Sequence, residues 1–419
     1  MKDGLDGKIA KANREAARRI FESRCFWTDV KPAIEVVKGM TANTIFHAGP
    51  PVSWDRMAGP LKGSIIAAML FEGLARTSSE AIRLAKDGKV NFGSSLDRNA
   101  ISCGCGATSA SMLMFEVKNK PFGKTAYIAL PELGLLFGRY DKKTVEHLRW
   151  MKNVLGPTLK DAVRDHGPLE IEPILAQALL MGDECHDRAI AATCLFERIM
   201  APSVVSVADR KTAREVLRNI GEIDLFFLWP IMAKAKATAD AAHGVEYSTV
   251  MTTLSGNGTE MGVRISGLGH EWYKAPSPRF YVAKYFPGFS DSDSNPEVGD
   301  SVMVDMLGLG GGCMAAGLAH VLSTGETVDD ALRYTREMLK ISVARNDNFK
   351  IPMTGFKGAP TGYDMRRILK TGIAPVLAVG IAHKEAGKGF IGFGMTRVPM
   401  ECVKKANEAF AAKYGASAA

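Results

Sequence analysis

A run of glycines near residue 310 constrains this chain more than any other feature of its sequence. An apolar, strand-like segment over residues 302–307 leads into Gly308-Leu309-Gly310-Gly311-Gly312, and a small-residue helical pattern follows over 313–322. Glycine lets a ligand approach the main chain closely, and a helix start presents free N–H groups. The pattern therefore predicts a cradle for an anion or a carbonyl oxygen, formed by Gly310, Gly311 and Gly312. A tight turn packed against neighbouring backbone accounts for the same residues, so both interpretations stay open.

Composition limits the classes of function that the chain can have. Its 419 residues allow two or three domains, and 46% hydrophobic with 23% charged side chains is ordinary for a globular protein. A formal charge of +8 favours a small anionic substrate, but the basic residues are too dispersed to predict nucleic-acid binding. The most apolar window, 302–322, contains Asp305, so no membrane span is expected. Seven cysteines and no recognisable secretory signal predict reduced thiols in the cytoplasm.

Three regions with different patterns of predicted helices and strands give the predicted fold. The class is α/β (α+β), with two mixed α/β regions around a small helical insertion. We expect an N-terminal α/β domain over 1–140, a helical domain over 141–245, and a C-terminal α/β domain over 246–419 that carries the glycine-rich loops. The predicted helices are 8–24, 65–73, 142–155 (ended by Gly156-Pro157), 174–200, 212–220, 231–242 and 328–341, and the clearest predicted strands are 126–130, 261–265 and 374–379.

The glycine run does not predict a nucleotide cofactor. Its spacing only approximates G-x-G-x-x-G, and no second strand ending in an acidic residue follows about twenty positions later. No Lys-Ser or Lys-Thr follows the glycines, so the phosphate-binding loop of nucleoside triphosphatases is excluded as well. We therefore expect no cofactor.

A second glycine-rich segment begins at Asn257-Gly258, a strong turn signal. Thr259 and Glu260 follow, and the alternation beyond them places Arg264 on one face of a strand. A guanidinium beside exposed backbone amides suits a carboxylate or a phosphate, which its planar fork can bind with two hydrogen bonds. A hairpin with a surface Arg264–Glu260 ion pair is the alternative interpretation.

Acidic residues and a histidine are close together at 181–188. If this segment is helical, Asp183, His186 and Asp187 share a face and could bind a metal or form an acid–base pair. A salt-bridged helix face is the simpler interpretation, so no metal is expected and these three residues are the alternative metal ligands.

Two histidines lie in loop contexts that suit proton transfer. His47 ends a strand-like run before Gly49-Pro50-Pro51, and His383-Lys384 follows the strand-like segment near residue 380. A histidine titrates near neutral pH, which suits general acid–base work. A purely structural role is the alternative for each histidine.

Taken together, these segments resemble a bacterial family, the YlbE-like (AllG-like) proteins. The resemblance runs in one collinear order over roughly residues 8–403. It is weakest at 94–106, where the family has a histidine-rich stretch and this chain has no histidine. The segments that carry it are 29–33, 47–51, 56–60, 148–151, 181–186, 257–260, 299–301, 380–384 and 399–402.

The resemblance implies a multi-part α/β protein encoded beside an FdrA-like partner. One member is similar to a subunit of the oxamate carbamoyltransferase of anaerobic allantoin breakdown, a part of purine catabolism. That enzyme converts oxalurate and phosphate into oxamate and carbamoyl phosphate. The implied ligands are thus small anions that carry a carboxylate, a phosphate or a carbamoyl phosphate group, and a homo-oligomer and an FdrA-like partner are both expected.

Combining this resemblance with the residues gives the leading hypothesis, a subunit of a carbamoyltransferase. The amides of Gly310–Gly312 would stabilise charge on the carbonyl oxygen, Arg264 would hold a carboxylate or phosphate, and His47 or His383 would move the proton. Two other classes stay open, a metal-assisted amidohydrolase and a non-catalytic interaction subunit of an FdrA-like complex. The remaining predicted substrate-binding residues are Asn257, Gly258, Thr259, Glu260, Asp300 and Lys384.

Overall fold

Short strands and helices alternate along most of the chain, and a computed structural model describes them over residues 4–415. The mixed α/β class is confirmed. The helices are α1 (Leu5–Phe21), α2 (Ala33–Val36), α3 (Gly59–Glu72), α4 (Ser78–Lys86), α5 (Leu133–Leu136), α6 (Lys142–Trp150), α7 (Gly156–His166), α8 (Glu172–Leu180), α9 (Ile190–Val207), α10 (Arg210–Gly221), α11 (Leu228–Ala242), α12 (Met303–Met306), α13 (Val321–Thr324), α14 (Val328–Ile341), α15 (Met365–Thr371) and α16 (Met400–Tyr414).

The strands form several small sheets rather than one large sheet. Within the described residues their orders are β6-β5-β1-β7, β3-β2-β4, β10-β9-β8-β12, β11-β16-β15 and β13-β14, and only β2 and β3 pair in parallel. The strands are β1 (Cys25–Pro32), β2 (Thr44–His47), β3 (Asn91–Ser94), β4 (Ala107–Ser109), β5 (Leu113–Asn119), β6 (Lys124–Ala129), β7 (Leu169–Glu170), β8 (Met251–Asn257), β9 (Glu260–Ile265), β10 (Tyr273–Pro276), β11 (Val282–Tyr285), β12 (Val298–Gly299), β13 (Ser342–Ile351), β14 (Lys357–Tyr363), β15 (Val376–Ala382) and β16 (Phe390–Arg397).

Helix α11 lies at the centre of the packing. Nearly all of its residues are buried, and it contacts α1, α12 and strands β5 and β6. Its many alanines allow this close approach, because their small side chains let neighbouring elements pack near the helix backbone. Strand β7 comes from the helix-rich region but pairs with β1 of the N-terminal region. The domain boundaries at 140 and 245 stay predictions.

Several predicted elements are confirmed by their caps and burial. Thr327 and Asp330 form a capping box at the start of α14, and the Asp141 carboxylate accepts a hydrogen bond from the Thr144 amide at 3.0 Å at the start of α6. The predicted helix end at Gly156-Pro157 is wrong. A π-helical turn, Met151–Leu155, runs directly into α7, and the proline occupies the first turn of that helix, where it needs no amide hydrogen bond.

The segment around the glycine run is also different from its prediction. The strand predicted over 302–307 is the short helix α12, and the helix predicted over 313–322 is a series of 3₁₀ turns that ends in α13. Gly308 has φ +85° and Gly310 has φ +51°. These left-handed angles turn the chain back on itself twice, which prevents a regular strand-to-helix connection.

One helix among the described residues, α9, is long and apolar enough to cross a membrane by length and composition. Its side chains Phe196, Met200 and Val204 are buried, and it packs against α7, α8 and α10. Apolar composition of this kind is also expected of a helix that lies in a protein core.

The glycine run provides a test of close backbone packing. A Cβ atom at Gly308 would overlap the carbonyl oxygen of Pro360, whereas one at Gly325, with a similar φ of +83°, would meet no atom within 4 Å. We expect Gly325→Ala to cost about 1–2 kcal/mol, from the left-handed backbone alone. Gly308→Ala should cost at least about 2 kcal/mol more, because the backbone must move. Free energies of unfolding in guanidinium chloride check this, and equal losses would contradict it.

Candidate functional site

Residues 181–189 form an inward-folded loop between α8 and α9. The prediction of one helix over 174–200 is therefore wrong at its centre. The Glu184 carboxylate accepts hydrogen bonds from the amides of His186 (3.1 Å) and Arg188 (2.5 Å), which closes the turn. Asp183 points elsewhere, since its Oδ2 accepts the Ala192 amide at the start of α9 at 2.9 Å.

This loop separates the three residues that were the alternative metal ligands. Asp183, His186 and Asp187 do not share a helix face, because the segment is not helical. Across the described residues, no group of three or more His, Cys, Asp or Glu side chains has an arrangement that could hold a metal ion. The arrangement on which the metal-assisted alternative depended is thus not present in residues 4–415.

His186 instead forms a buried ion pair with Asp305. Its Nδ1 lies 2.7 Å from Asp305 Oδ2, and neither side chain is more than 2% exposed. Burial lowers the pKa of His186, but the Asp305 carboxylate and its neighbours more than reverse this and raise that pKa to about 10. The imidazolium is therefore the stable form at neutral pH.

The glycine run binds this same carboxylate. The Gly311 amide donates to Asp305 Oδ1 at 2.6 Å, and the Gly310 amide donates to the Glu184 carbonyl at 2.7 Å. The Gly312 amide donates to the Leu309 carbonyl at 2.8 Å. All three amides of the predicted cradle are thus engaged with acceptors of the chain itself, and a direct role in substrate binding stays a prediction.

Asp300 is held in a comparable way by distant parts of the chain. Its carboxylate accepts the amides of Gly49 (2.7 Å) and Ser102 (2.9 Å) and the Ser255 hydroxyl (2.5 Å). Burial raises the pKa of Asp300 to about 6, although these hydrogen bonds lower it. The predicted substrate-binding residue Asp300 therefore ties β8 to the N-terminal region, and its contact with a substrate stays a prediction.

The structure brings His47 and Arg264 into one neighbourhood. Arg264 pairs with Asp97, donates to the Leu96 carbonyl at 3.2 Å, and stacks 4.1 Å over the Trp272 ring. His47 is fully buried, and its pKa is lowered by burial and raised less by the Ala48 carbonyl and by Asp97. Because Asp97 already pairs with the Arg264 guanidinium, an incoming anion would have to compete with that carboxylate.

The third predicted catalytic residue lies beside a different aspartate. His383 Nδ1 accepts the Glu385 amide at 2.9 Å, and its Nε2 lies 3.9 Å from Asp293. The neighbouring Lys384 donates to the Ser292 carbonyl at 2.7 Å. The catalytic roles predicted for these histidines and for Arg264 stay predictions.

The loop at 257–260 is a turn that also contacts the N-terminal region, since the Thr259 hydroxyl donates to the Arg56 carbonyl at 2.8 Å. Asn257 Oδ1 accepts the amides of Thr259 (2.9 Å) and Glu260 (2.7 Å), and Gly258 has φ +82°. Glu260 pairs with Lys274 at 3.0 Å and with Arg56 at 3.3 Å, so the alternative pairing with Arg264 is wrong. Substrate binding by this turn stays a prediction.

A cleft of about 500 Å³ opens beside Asp187, the residue that follows His186 in the chain. Asp187 and Gly380 lie in its wall, and the side chain of Asp187 is only 6% exposed. The cleft is also lined by two cationic residues and two acidic residues in addition to Asp187. Its full lining is Leu133, Gly134, Phe137, Arg139, Asp187, Glu222, Ile223, Asp224, Leu225, Gly380, Lys388, Phe390 and Phe393.

Aromatic rings form one wall of this cleft. Phe137 and Phe390 stack with centroids 4.3 Å apart, and Phe393 meets Phe390 edge-on at 5.0 Å. These rings make this side of the cleft apolar. Behind the wall, the His320 ring meets Phe393 at 6.0 Å, and its Nε2 lies 3.5 Å from Asp187 Oδ2.

The sequence does not predict this cleft. Among its lining residues, Asp187 is a candidate site residue and Gly380 lies in a segment that carries the family resemblance. A signal was present, because Asp305 and His320 are charged or polar residues within otherwise apolar, small-residue segments. Such residues must find partners when the segment is buried. Arg139 and Lys388 gave no comparable signal, since surface cations are common.

Comparisons with known proteins place the chain in a family. The family described as oxamate carbamoyltransferase subunit AllG matches residues 90–301. The chain is 40% identical over 415 residues to the uncharacterized protein YahG of Escherichia coli, covering 98% of this chain and 88% of YahG. It is 38% identical over 417 residues to the oxamate carbamoyltransferase subunit AllG of Escherichia coli, covering 97% and 99% of the two chains.

A solved structure has the same fold. It is a conserved protein of unknown function from Enterococcus faecalis, with a TM-score of 0.95 and 39% identity. The alignment covers 98% of this chain and 99% of the other. The similarity thus extends through the whole arrangement of sheets and helices.

The His186–Asp305 pair predicts a specific dependence of stability on pH. Because the pKa of His186 is raised from 6.5 to about 10 on folding, its contribution is complete below pH 6.5 and is lost as pH rises through 10. Asp305→Asn should lower the free energy of unfolding at pH 7 by about 3–5 kcal/mol. It should also flatten the decline of stability between pH 6.5 and 10.

Urea unfolding at several pH values measures both effects. His186→Gln provides the second arm, because it removes the titrating group itself and should flatten the same part of the profile. Asp161→Asn on the exposed surface of α7 is the matched control, since it removes a carboxylate away from the pair. Wild-type slopes in both Asp305→Asn and His186→Gln would contradict the prediction.

Proposed function

Because the chain belongs to the AllG family, whose name is that of a subunit of oxamate carbamoyltransferase, we propose that it is a subunit of a carbamoyltransferase-type enzyme. Its substrate is a small ureido or amide acid. The reaction proposed is the conversion of oxalurate and phosphate into oxamate and carbamoyl phosphate. The partner is a further subunit of FdrA-like type, which matches the description of AllG as a subunit.

The observation that carries the proposal is the distribution of charge in the cleft. Lys388 and Arg139 come from two loops that touch, since the Gly387 amide donates to the Gly138 carbonyl at 2.9 Å. Glu222 and Asp224 come from the separate loop between α10 and α11. A cleft lined by both cations and carboxylates suits a ligand that has a carboxylate and several N–H groups.

Oxalurate has this combination of groups. Its carboxylate suits the ammonium of Lys388, and its ureido N–H groups suit the acceptors of the 222–225 loop. The Phe137, Phe390 and Phe393 side chains give the cleft an apolar wall, which suits the less polar faces of such a molecule. The volume of about 500 Å³ is ample for such a small acid.

The test is reconstitution of the complex. The chain is co-expressed with an FdrA-like partner and any further subunit encoded beside it, purified, and supplied with oxalurate and phosphate. Carbamoyl phosphate and oxamate should form in equal amounts, and omission of this chain should abolish the reaction. A purified, fully assembled complex that forms neither product would contradict the proposal.

Lys388 gives a sharper prediction within that assay. Arg139 already pairs with Asp141 at 2.6 Å, whereas Lys388 makes no ion pair in residues 4–415 and is free to meet a ligand. Lys388→Met should raise the KM for oxalurate about tenfold, which corresponds to about 1.4 kcal/mol. Lys86→Met, at an exposed end of α4, is the control and should leave the KM unchanged. Equal KM values for the two variants would exclude Lys388 from the binding site.

A further inference from the structure

Two polar atoms face each other without hydrogen-bond partners at the edge of the cleft. Asp187 Oδ2 and His320 Nε2 lie 3.5 Å apart, and neither has a hydrogen-bond partner within the described residues. Both side chains are more than nine-tenths buried, and Asp187 lines the cleft. Buried polar atoms are normally paired, so an unpaired couple next to a cleft points to a role in handling a ligand or a proton.

The surroundings of Asp187 allow its carboxyl group to exchange a proton near neutral pH. Burial raises the pKa of Asp187, His186 lowers it, and Asp305 raises it further, so that it reaches about 7. The backbone amide of Gly380 favours the charged form. The other titratable or charged groups that face this carboxyl group from the packed elements and the cleft are Cys103, Glu184, His320, Arg139, Glu222, Asp224 and Lys388.

His320 stays neutral in the same environment. Burial lowers its pKa to about 4, and the positive charges of His186 and Arg188 act in the same direction. A neutral imidazole can donate or accept a hydrogen bond, depending on which nitrogen carries the proton. Its position behind Asp187 and against Phe393 allows it to orient the carboxyl group without meeting the ligand.

We propose that Asp187 is the proton-transfer residue of the cleft and that His320 is its positioning residue. This inference rests on the proposed carbamoyl transfer. The sequence predicts no role in that reaction for either residue, and it indicates Asp187 only as an alternative metal ligand.

In the proposed transfer, Asp187 gives a proton to the leaving nitrogen and regains one from phosphate. An oxygen of hydrogen phosphate attacks the carbamoyl carbon of oxalurate, and the new C–O bond forms as the C–N bond to the oxamate nitrogen breaks. The electron pair of that bond goes to nitrogen, which takes the proton of neutral Asp187. The resulting carboxylate then takes the proton of the phosphate group. Asp187 is thereby restored, and one proton has passed from phosphate to oxamate.

The experiment uses the assembled complex, with oxalurate and phosphate as substrates. Asp187→Asn is isosteric but cannot transfer the proton, so its kcat should fall by about 10²–10⁴-fold while the KM for oxalurate changes less than threefold. In the wild type, kcat should fall as pH rises through about 7, because Asp187 loses its proton there. This limb of the pH profile should disappear in Asp187→Asn. Asp161→Asn should behave as wild type in both respects.

His320→Gln tests the positioning role. It keeps a hydrogen-bonding group near Asp187 but alters its geometry, so kcat should fall less than in Asp187→Asn and the limb near pH 7 should shift rather than disappear. Asp187→Glu keeps the chemistry and should recover part of the kcat and the limb. If Asp187→Asn fails to assemble, Asp187→Glu is the test instead. Complete loss of the limb in Asp187→Glu would then count against the proposal.

The outcomes separate the inference from the function on which it rests. An active wild-type complex in which Asp187→Asn keeps the wild-type kcat and pH profile overturns the role of Asp187 alone. Loss of kcat with an unchanged pH limb overturns it as well, because a merely structural residue would behave in that way. An inactive, correctly assembled wild-type complex overturns the proposed carbamoyl transfer, and the inference with it.

Discussion

The buried carboxylate of Asp305 is the constraint on which the candidate site depends. One of its oxygens accepts the Gly311 amide at 2.6 Å, and the other lies 2.7 Å from the His186 ring. It therefore joins the glycine run to the loop at 181–189, which is distant in sequence. A buried carboxylate is stable only when it has both hydrogen-bond donors and an oppositely charged partner. Without the Asp305 carboxylate, the charged His186 ring would be buried without its ionic partner, and one of the contacts between the glycine run and this loop would be lost.

Asp300, on the segment just before, extends the same principle to the N-terminal region. Its partners Gly49, Ser102 and Ser255 come from three separate parts of the chain. Two acidic residues on a short stretch thus connect most of the regions that surround the site. Removing either charge would leave amide or hydroxyl donors buried without acceptors, which is costly. The glycines beside Asp305 are needed because Cβ atoms at Gly310 and Gly311 would approach its Oδ1 to 2.6 Å and 3.0 Å.

Local sequence signals predicted the parts of the fold that local energetics determine. The start of α14 follows from Thr327 and Asp330, and the turn at Asn257-Gly258 follows from a backbone preference of two residues. The break at 181–189 could not be predicted in this way, because the competing helix is locally acceptable and only the contact of His186 with Asp305 opposes it. The site suffers from the same limitation, since the residues of the cleft come from segments near 135, 187, 223 and 390. The spacing of residues along the chain does not show that these segments lie close together in the fold.

The glycine run had the features of an anion cradle, and an anion does occupy it in the form of Asp305. An exogenous anion at Gly311 would displace the carboxylate that neutralises His186, whereas the cleft beside Asp187 needs no such displacement. The cations of the cleft are nevertheless few, because Arg139 is shared with Asp141 and only Lys388 has no ion-pair partner in the described residues. One ammonium matches a single carboxylate better than it matches a carboxylate together with a doubly charged phosphate. The charge distribution of the cleft thus fits a ligand with one carboxylate better than a ligand with several negative charges.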